Sequence, residues 1–274
     1  MRHALSLTML IDLIFIMLLS VSGSVSGWLS ELLYFVAFLL PFAVGILGVR
    51  SIERNENRDF ISGLSGVLTP TKKQVRLTLP IVFPTVAVIF VISFLTSLLL
   101  TELGIENSTV ENAPLALMLL EHAFIPALLE ELLFRLVPLL LMARYSNSGA
   151  IVWSALAFSL IHCNLFQIPY AFAAGFVFMT VAVMTGGILP SILLHFINNT
   201  LSVVWIKYCS TDTSAAIFVG ALLLLSLVSL PFIIKYRGEY KESLAKCFSE
   251  KPQVYPSILA LLIPTLLVAV LNVL

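Results

Sequence analysis

Residues 128–141 read LLEELLFRLVPLLL, an apolar run interrupted by Glu130, Glu131 and Arg135. An ionised side chain at the centre of a bilayer costs at least about 2.5–3.5 kcal/mol, so such residues usually mark a pathway, a relay or a reaction. Glu131 and Arg135 stand four apart, share one helix face and can pair, acid before base. Glu130 points about 100° away from Glu131 and has no partner on its own helix. Left free, it is a candidate base.

Two further polar pairs repeat the same spacing. WSALAFSLIHCN (153–164) sets Phe158 four residues before His162, and LPSILLHFINNTL (189–201) sets His195 four before Asn199. A lone histidine in a helix is usually a packing residue. Two in separate apolar segments, beside an unpaired glutamate, point to a shared site. A glutamate with a nearby histidine can activate water once burial and neighbours tune their proton affinities. A second histidine with an amide side chain supplies donors for a developing oxyanion. Glu130, His162, His195 and Asn199 therefore suffice for hydrolysis of an amide bond without a covalent intermediate. Two His and one Glu also make a catalytic zinc ligand set, but no HExxH helix is present. The expectation is no metal and no cofactor, with zinc as the lesser alternative.

The remaining polar residues read more blandly. Glu121 and His122 lie two turns before Glu130 and fit a structural role near the outer end of that helix. Asn198 points about 100° from Asn199 and fits a helix–helix hydrogen bond. Ser159 has no ordered Ser-His-Asp arrangement around it, His3 is terminal, and Asp12 fits an interfacial or packing group.

The elements that must hold these residues are membrane spans. The chain has 274 residues, 59% hydrophobic and 11% charged, against roughly 25% charged in a soluble domain. Mean hydropathy is +1.06 and the formal net charge is zero. That balance, without any basic and aromatic patch, argues against nucleic acid as a partner. The expected fold class is all-α, a polytopic transmembrane bundle of eight or nine spans in a lipid bilayer. Candidate spans are 4–21, 28–49, 79–101, 114–143, 148–164, 168–186, 187–207, 214–235 and 255–273. Pro126 and Pro138 should kink the long fourth span, and only TGGILP (185–190) separates the sixth from the seventh.

With the N-terminus cytoplasmic, thirteen of the fifteen Lys and Arg residues fall inside, Lys207 alone falls outside, and Arg135 lies within a span. Such an asymmetry supports a multi-pass protein of the cell membrane in that orientation. At about 1.5 Å per residue, Glu130 lies about 20 Å in, His162 about 22 Å, His195 about 12 Å and Asn199 about 18 Å. One wet cavity open to the cytoplasm could hold all four. The N-terminal stretch has the basic start and apolar core of a signal peptide, but Asp12 interrupts it, which favours a retained first span. Cys163, Cys209 and Cys247 are too scattered for a disulfide framework or thiolate metal site. The organisation expected is one integral membrane domain: helices over 1–113 with a cytoplasmic loop at 50–78, a catalytic core over 114–207, and C-terminal helices over 208–274.

EELLFR (130–135) resembles the EExxxR motif of the CAAX protease and bacteriocin-processing family (CPBP, or Abi). FSLIH (158–162) is similar to its FxxxH motif and HFINN (195–199) to its HxxxN motif. The resemblance covers about 114–207 and implies an intramembrane glutamate protease of prokaryotic type. It implies that Glu130 and His162 activate water, that His195 and Asn199 form the oxyanion site, and that Glu131, Arg135 and Phe158 support them. The implied partner is a membrane-associated peptide or protein substrate. Against it stand a non-catalytic scaffold or immunity protein and a proton-coupled transporter, although no internal repeat of the transporter kind is visible.

Overall fold

The computed structural model describes residues 7, 10–11, 14–15, 17–18, 21–22, 25–55, 59–105, 113–143 and 145–249. Among them every regular element is a helix, and no strand occurs. In chain order these are α1 (Trp28–Asn55), α2 (Phe60–Leu68), α3 (Lys72–Thr78) and, after the 3₁₀ turn Leu79–Ile81, α4 (Val82–Glu102). Next come α5 (Leu115–Leu119), α6 (Ile125–Glu131) and α7 (Val137–Leu141), joined by wide π turns. Then follow α8 (Asn147–Leu160), α9 (Ile168–Thr185), α10 (Leu189–Tyr208), α11 (Asp212–Lys235) and α12 (Arg237–Cys247). Five stretches are long and apolar enough to cross a membrane: α1, α3 through α4, α9, α10 and α11. The protein is an all-α integral membrane protein. The expected span 255–273 lies outside the described residues, as do most of 4–21 and Asp12.

Two expected spans depart from regular helices. The stretch 115–141 alternates α, π, α, π and α, and each π turn (Leu120–Phe124 and Leu132–Leu136) ends two residues before a proline. Pro126 and Pro138 have no N–H to donate, and their rings crowd the carbonyl four residues back. A wider turn accommodates both problems. The carbonyl that Pro138 cannot serve belongs to Phe134, and Ser154 of α8 donates its hydroxyl to it at 2.5 Å. Ser154 is fully buried. Ser154→Ala removes that buried donor and should destabilise the protein by about 1–3 kcal/mol, read as a lowered thermal midpoint in detergent.

The other departure is α8, which has 14 residues and is therefore about 21 Å long, short of the roughly 30 Å hydrocarbon core. It stops because Cys163 adopts a left-handed φ of 46° and the Asn164 side chain accepts from the Phe166 amide at 2.8 Å. His162 consequently sits on the turn after α8, not inside a helix as the sequence suggests. The TGGILP break is real. Gly186, at a φ of 74°, donates its amide to Ala182 at 2.8 Å and ends α9.

α9 is the central helix, with 56% of its apolar window buried, whereas α11 has 6% and lies at the periphery of the bundle. α8 and α9 meet at Gly175, where a Cβ would lie 3.0 Å from the Phe158 ring and 3.1 Å from the Ala155 Cα. Small residues allow this approach, as in other membrane helix pairs. At one end of the bundle, the 50–78 segment is not a plain loop. Thr71 and Gln74 cap α3 reciprocally, the Ile188 amide donates to the Val67 carbonyl at 3.1 Å, and Gln74 covers Gly187. Lys73 reaches the Met184 carbonyl, Arg76 pairs with Glu239, and Tyr240 donates to the Leu77 carbonyl at 2.7 Å. Burial pushes the Tyr240 phenol up to about 12, so it stays a donor at neutral pH. At the opposite end, Lys207 donates to the Ala113 carbonyl. Segments that the charge asymmetry puts on one side thus meet at one end.

Candidate active site

Glu131 and Arg135 are completely buried and pair at 3.2 Å across the second π turn. Burying two charges costs several kcal/mol per ion unless geometry and further contacts offset it. Aromatic faces provide those contacts. The Arg135 guanidinium lies 4.3 Å from the Phe158 ring centre and 5.6 Å from that of Phe178, an arrangement that is worth most when desolvated.

His195 of α10 joins this pair to Glu130. Its Nδ1 lies 2.9 Å from Glu131 Oε1, and its Nε2 lies 3.7 Å from Glu130 Oε2. A carboxylate accepts, so Nδ1 carries a proton and donates to Glu131. The ring packs edge-on against Phe158, with centroids 5.5 Å apart, and tilted against Phe178 at 5.2 Å. Two carboxylates and one guanidinium leave a net single negative charge, which one further proton on Glu130 or His195 neutralises. A buried cluster of that composition is suited to accepting and returning a proton.

His162 Nδ1 lies 2.8 Å from the Phe158 carbonyl. A carbonyl only accepts, so Nδ1 holds the proton and neutral His162 keeps a lone pair on Nε2. Phe158 also packs edge-on against the His162 ring at 5.1 Å, touching both histidines and the arginine. The Asn199 side-chain oxygen accepts from Asn198 Nδ2 at 3.2 Å, which leaves the Asn199 amide N–H groups for a ligand. Among the described residues Asn198 is thus partnered with its chain neighbour and not with another helix. His195, not His162, is the histidine drawn toward Glu130.

Spacing did not single out Phe178 or Tyr170. Phe178 carries no polar group, and only its place in the fold puts it under Arg135. Tyr170 and Tyr34 lie within electrostatic range of Glu130. Ser191, fully buried and beside Glu131, stands four residues before His195, so helical spacing would have found it. Among the described residues no group of three or more His, Cys, Asp or Glu side chains is placed to hold a metal ion.

Residues 112–201 match the family described as Type II CAAX prenyl endopeptidase Rce1-like. The match spans about a third of the chain and includes Glu130, Glu131, Arg135, Phe158, His162, His195 and Asn199. Comparison with curated proteins and with solved structures gives no match.

Proposed function

We propose, from the match of residues 112–201 to Rce1-like CAAX prenyl endopeptidases, that this protein is an intramembrane endopeptidase in which water, and not an enzyme nucleophile, attacks the peptide bond. The observation that carries the reading is the buried cluster in which Glu131 and Arg135 hold His195 against Glu130. Glu130 takes a proton from water, and His162 Nε2 accepts the hydrogen bond of its second proton, fixing the lone pair that attacks. The hydroxide oxygen adds to the carbonyl carbon. The tetrahedral oxyanion meets the Asn199 amide and, when His195 carries both protons, its Nε2–H. Collapse breaks the C–N bond, and the leaving amine takes its proton from Glu130. The substrate is a peptide or protein at the membrane of the cell, reached with the basic end of the bundle in the cytoplasm.

The test is cleavage of a peptide library by purified protein, wild type beside Glu130→Ala, each with and without a strong zinc chelator. Wild-type cleavage that survives chelation and disappears in the variant is the expected result. Loss of wild-type cleavage on chelation, restored by zinc, would move the Glu and His residues into a metal site.

A further inference from the structure

A cavity of about 390 Å³ lies between α4, α9, α10 and α11, beside the turn after α8. That volume falls within the roughly 300–1,000 Å³ of ligand sites. Three residues connect it to the catalytic cluster. Tyr170 lines it and stands within coulombic range of Glu130. Asn198 lines it and donates to Asn199. Asn164, two residues past His162, forms part of its wall.

Its lining mixes two chemistries. Phe90, Phe94, Trp205 and Phe218 supply aromatic rings, and Phe90 packs edge-on against Trp205 at 4.8 Å. Ser93 and Ser97, on the same helix face as Phe90 and Phe94, and Gln167 supply polar groups. Among the described residues no Asp, Glu, Lys or Arg lines the cavity. A serine or threonine in an apolar helix can return its hydroxyl to the carbonyl four residues back. Thr96, Ser202, Ser226 and Ser229 all do so. Ser93 and Ser97 do not, and neither their hydroxyls nor the Gln167 side-chain amide have a hydrogen-bond partner among the described residues.

These features discriminate between ligands. A charged group finds no counter-charge in the cavity. A bare hydrocarbon chain suits the aromatic rings but leaves two hydroxyls and a side-chain amide unpaired, at a cost. An extended peptide offers an N–H and a C=O at every residue to these polar groups, and apolar side chains to the rings interleaved with them. We infer that the cavity receives an uncharged, extended stretch of the substrate polypeptide beside the bond to be cut, held through its backbone by Ser93, Ser97 and Gln167. Rings of Phe94 and Trp205 select its side chains. Without a cation to receive it, a free C-terminal carboxylate is not what this subsite reads, and internal segments are accepted. This inference rests on the protease reading for the word substrate.

The experiment uses full-length Glu130→Gln protein in nanodiscs, with Trp205 fluorescence as the reporter and Trp205→Phe as the control that locates the signal. The probes carry one quencher each: an acetylated, amidated octapeptide of Leu, Phe and Ala; its free-acid form; a form with alternating lysines; and an S-farnesyl cysteine derivative without a peptide. The amide should quench saturably, the free acid no more tightly, and the lysine form at least tenfold more weakly. The triple variant Ser93→Ala, Ser97→Ala, Gln167→Ala should weaken amide binding at least tenfold with an unchanged thermal midpoint. A requirement for the free carboxylate, tighter farnesyl binding indifferent to the triple variant, or no saturable quenching by any probe would each overturn the inference. A peptide that binds as expected yet is never cut by wild-type protein counts against the protease reading alone.

Discussion

Glu130→Gln lowers the cleavage rate by about 10²–10⁴-fold and leaves the protein folded. The amide keeps the shape of the side chain but cannot accept water's proton. The structural cost is small because Glu130 is outside the tight ion pair and 3.7 Å from His195 Nε2. Removing its charge also takes away a negative group that the cluster otherwise has to balance. Initial rates on any cleaved peptide, with a thermal unfolding curve of the same preparation, provide the check. A variant that still cuts at the wild-type rate ends Glu130's role as base and reopens the scaffold and transporter readings. Glu131→Gln should behave in the opposite way on stability, since it strands the Arg135 guanidinium with no short-range anion.

Arg135→Ala has the largest expected effect on stability, a loss of about 3–5 kcal/mol, as follows when one partner of a buried pair is removed. Both members are fully buried and 3.2 Å apart, so Glu131 would be left as an uncompensated anion within the bundle. The truncation also empties the space between Phe158 and Phe178. Combining Arg135→Met with Glu131→Gln removes both charges and should recover much of that loss, with no recovery of cleavage because His195 loses its anchor. Chemical unfolding in mixed micelles measures both variants. A loss below about 1 kcal/mol for Arg135→Ala, the size typical of exposed pairs, would show that water reaches the pair.

Much of the candidate site's layout was legible in residue type and spacing, because an ionisable residue in an apolar run is rare enough to be informative. The Glu131–Arg135 pair, four residues apart, forms as helical spacing suggests. The partner of Glu130 was less legible. Counting depth along ideal spans brings Glu130 and His162 level, whereas the contact observed is with His195. Two local events account for the difference. A π turn at Leu132–Leu136 and another at Leu120–Phe124 change the helical phase on either side of Glu130, which a regular 3.6-residue count does not include. Cys163 ends α8 before His162, so depth measured along a helix does not apply to that residue. The prolines signalled the first event, though not that it would widen the turn. A left-handed cysteine left no signal at all. Phe178 was illegible for another reason: an apolar residue in an apolar helix becomes distinctive only when a guanidinium packs over it.

The hydrogen bond from Ile188 to the Val67 carbonyl, and the cover that Gln74 makes over Gly187, change the standing of the segment between α1 and α4. It looks like a tether whose sequence is free to vary. Yet it holds the first turn of the helix that carries His195 and Asn199, less than two turns from the nearer of them. Shortening that segment would shift the axial setting of His195 before it disturbed any apolar contact in the middle of the bundle. Activity would then fail in a protein whose helices still melt together, and the damage would be traced to the surface instead of the core.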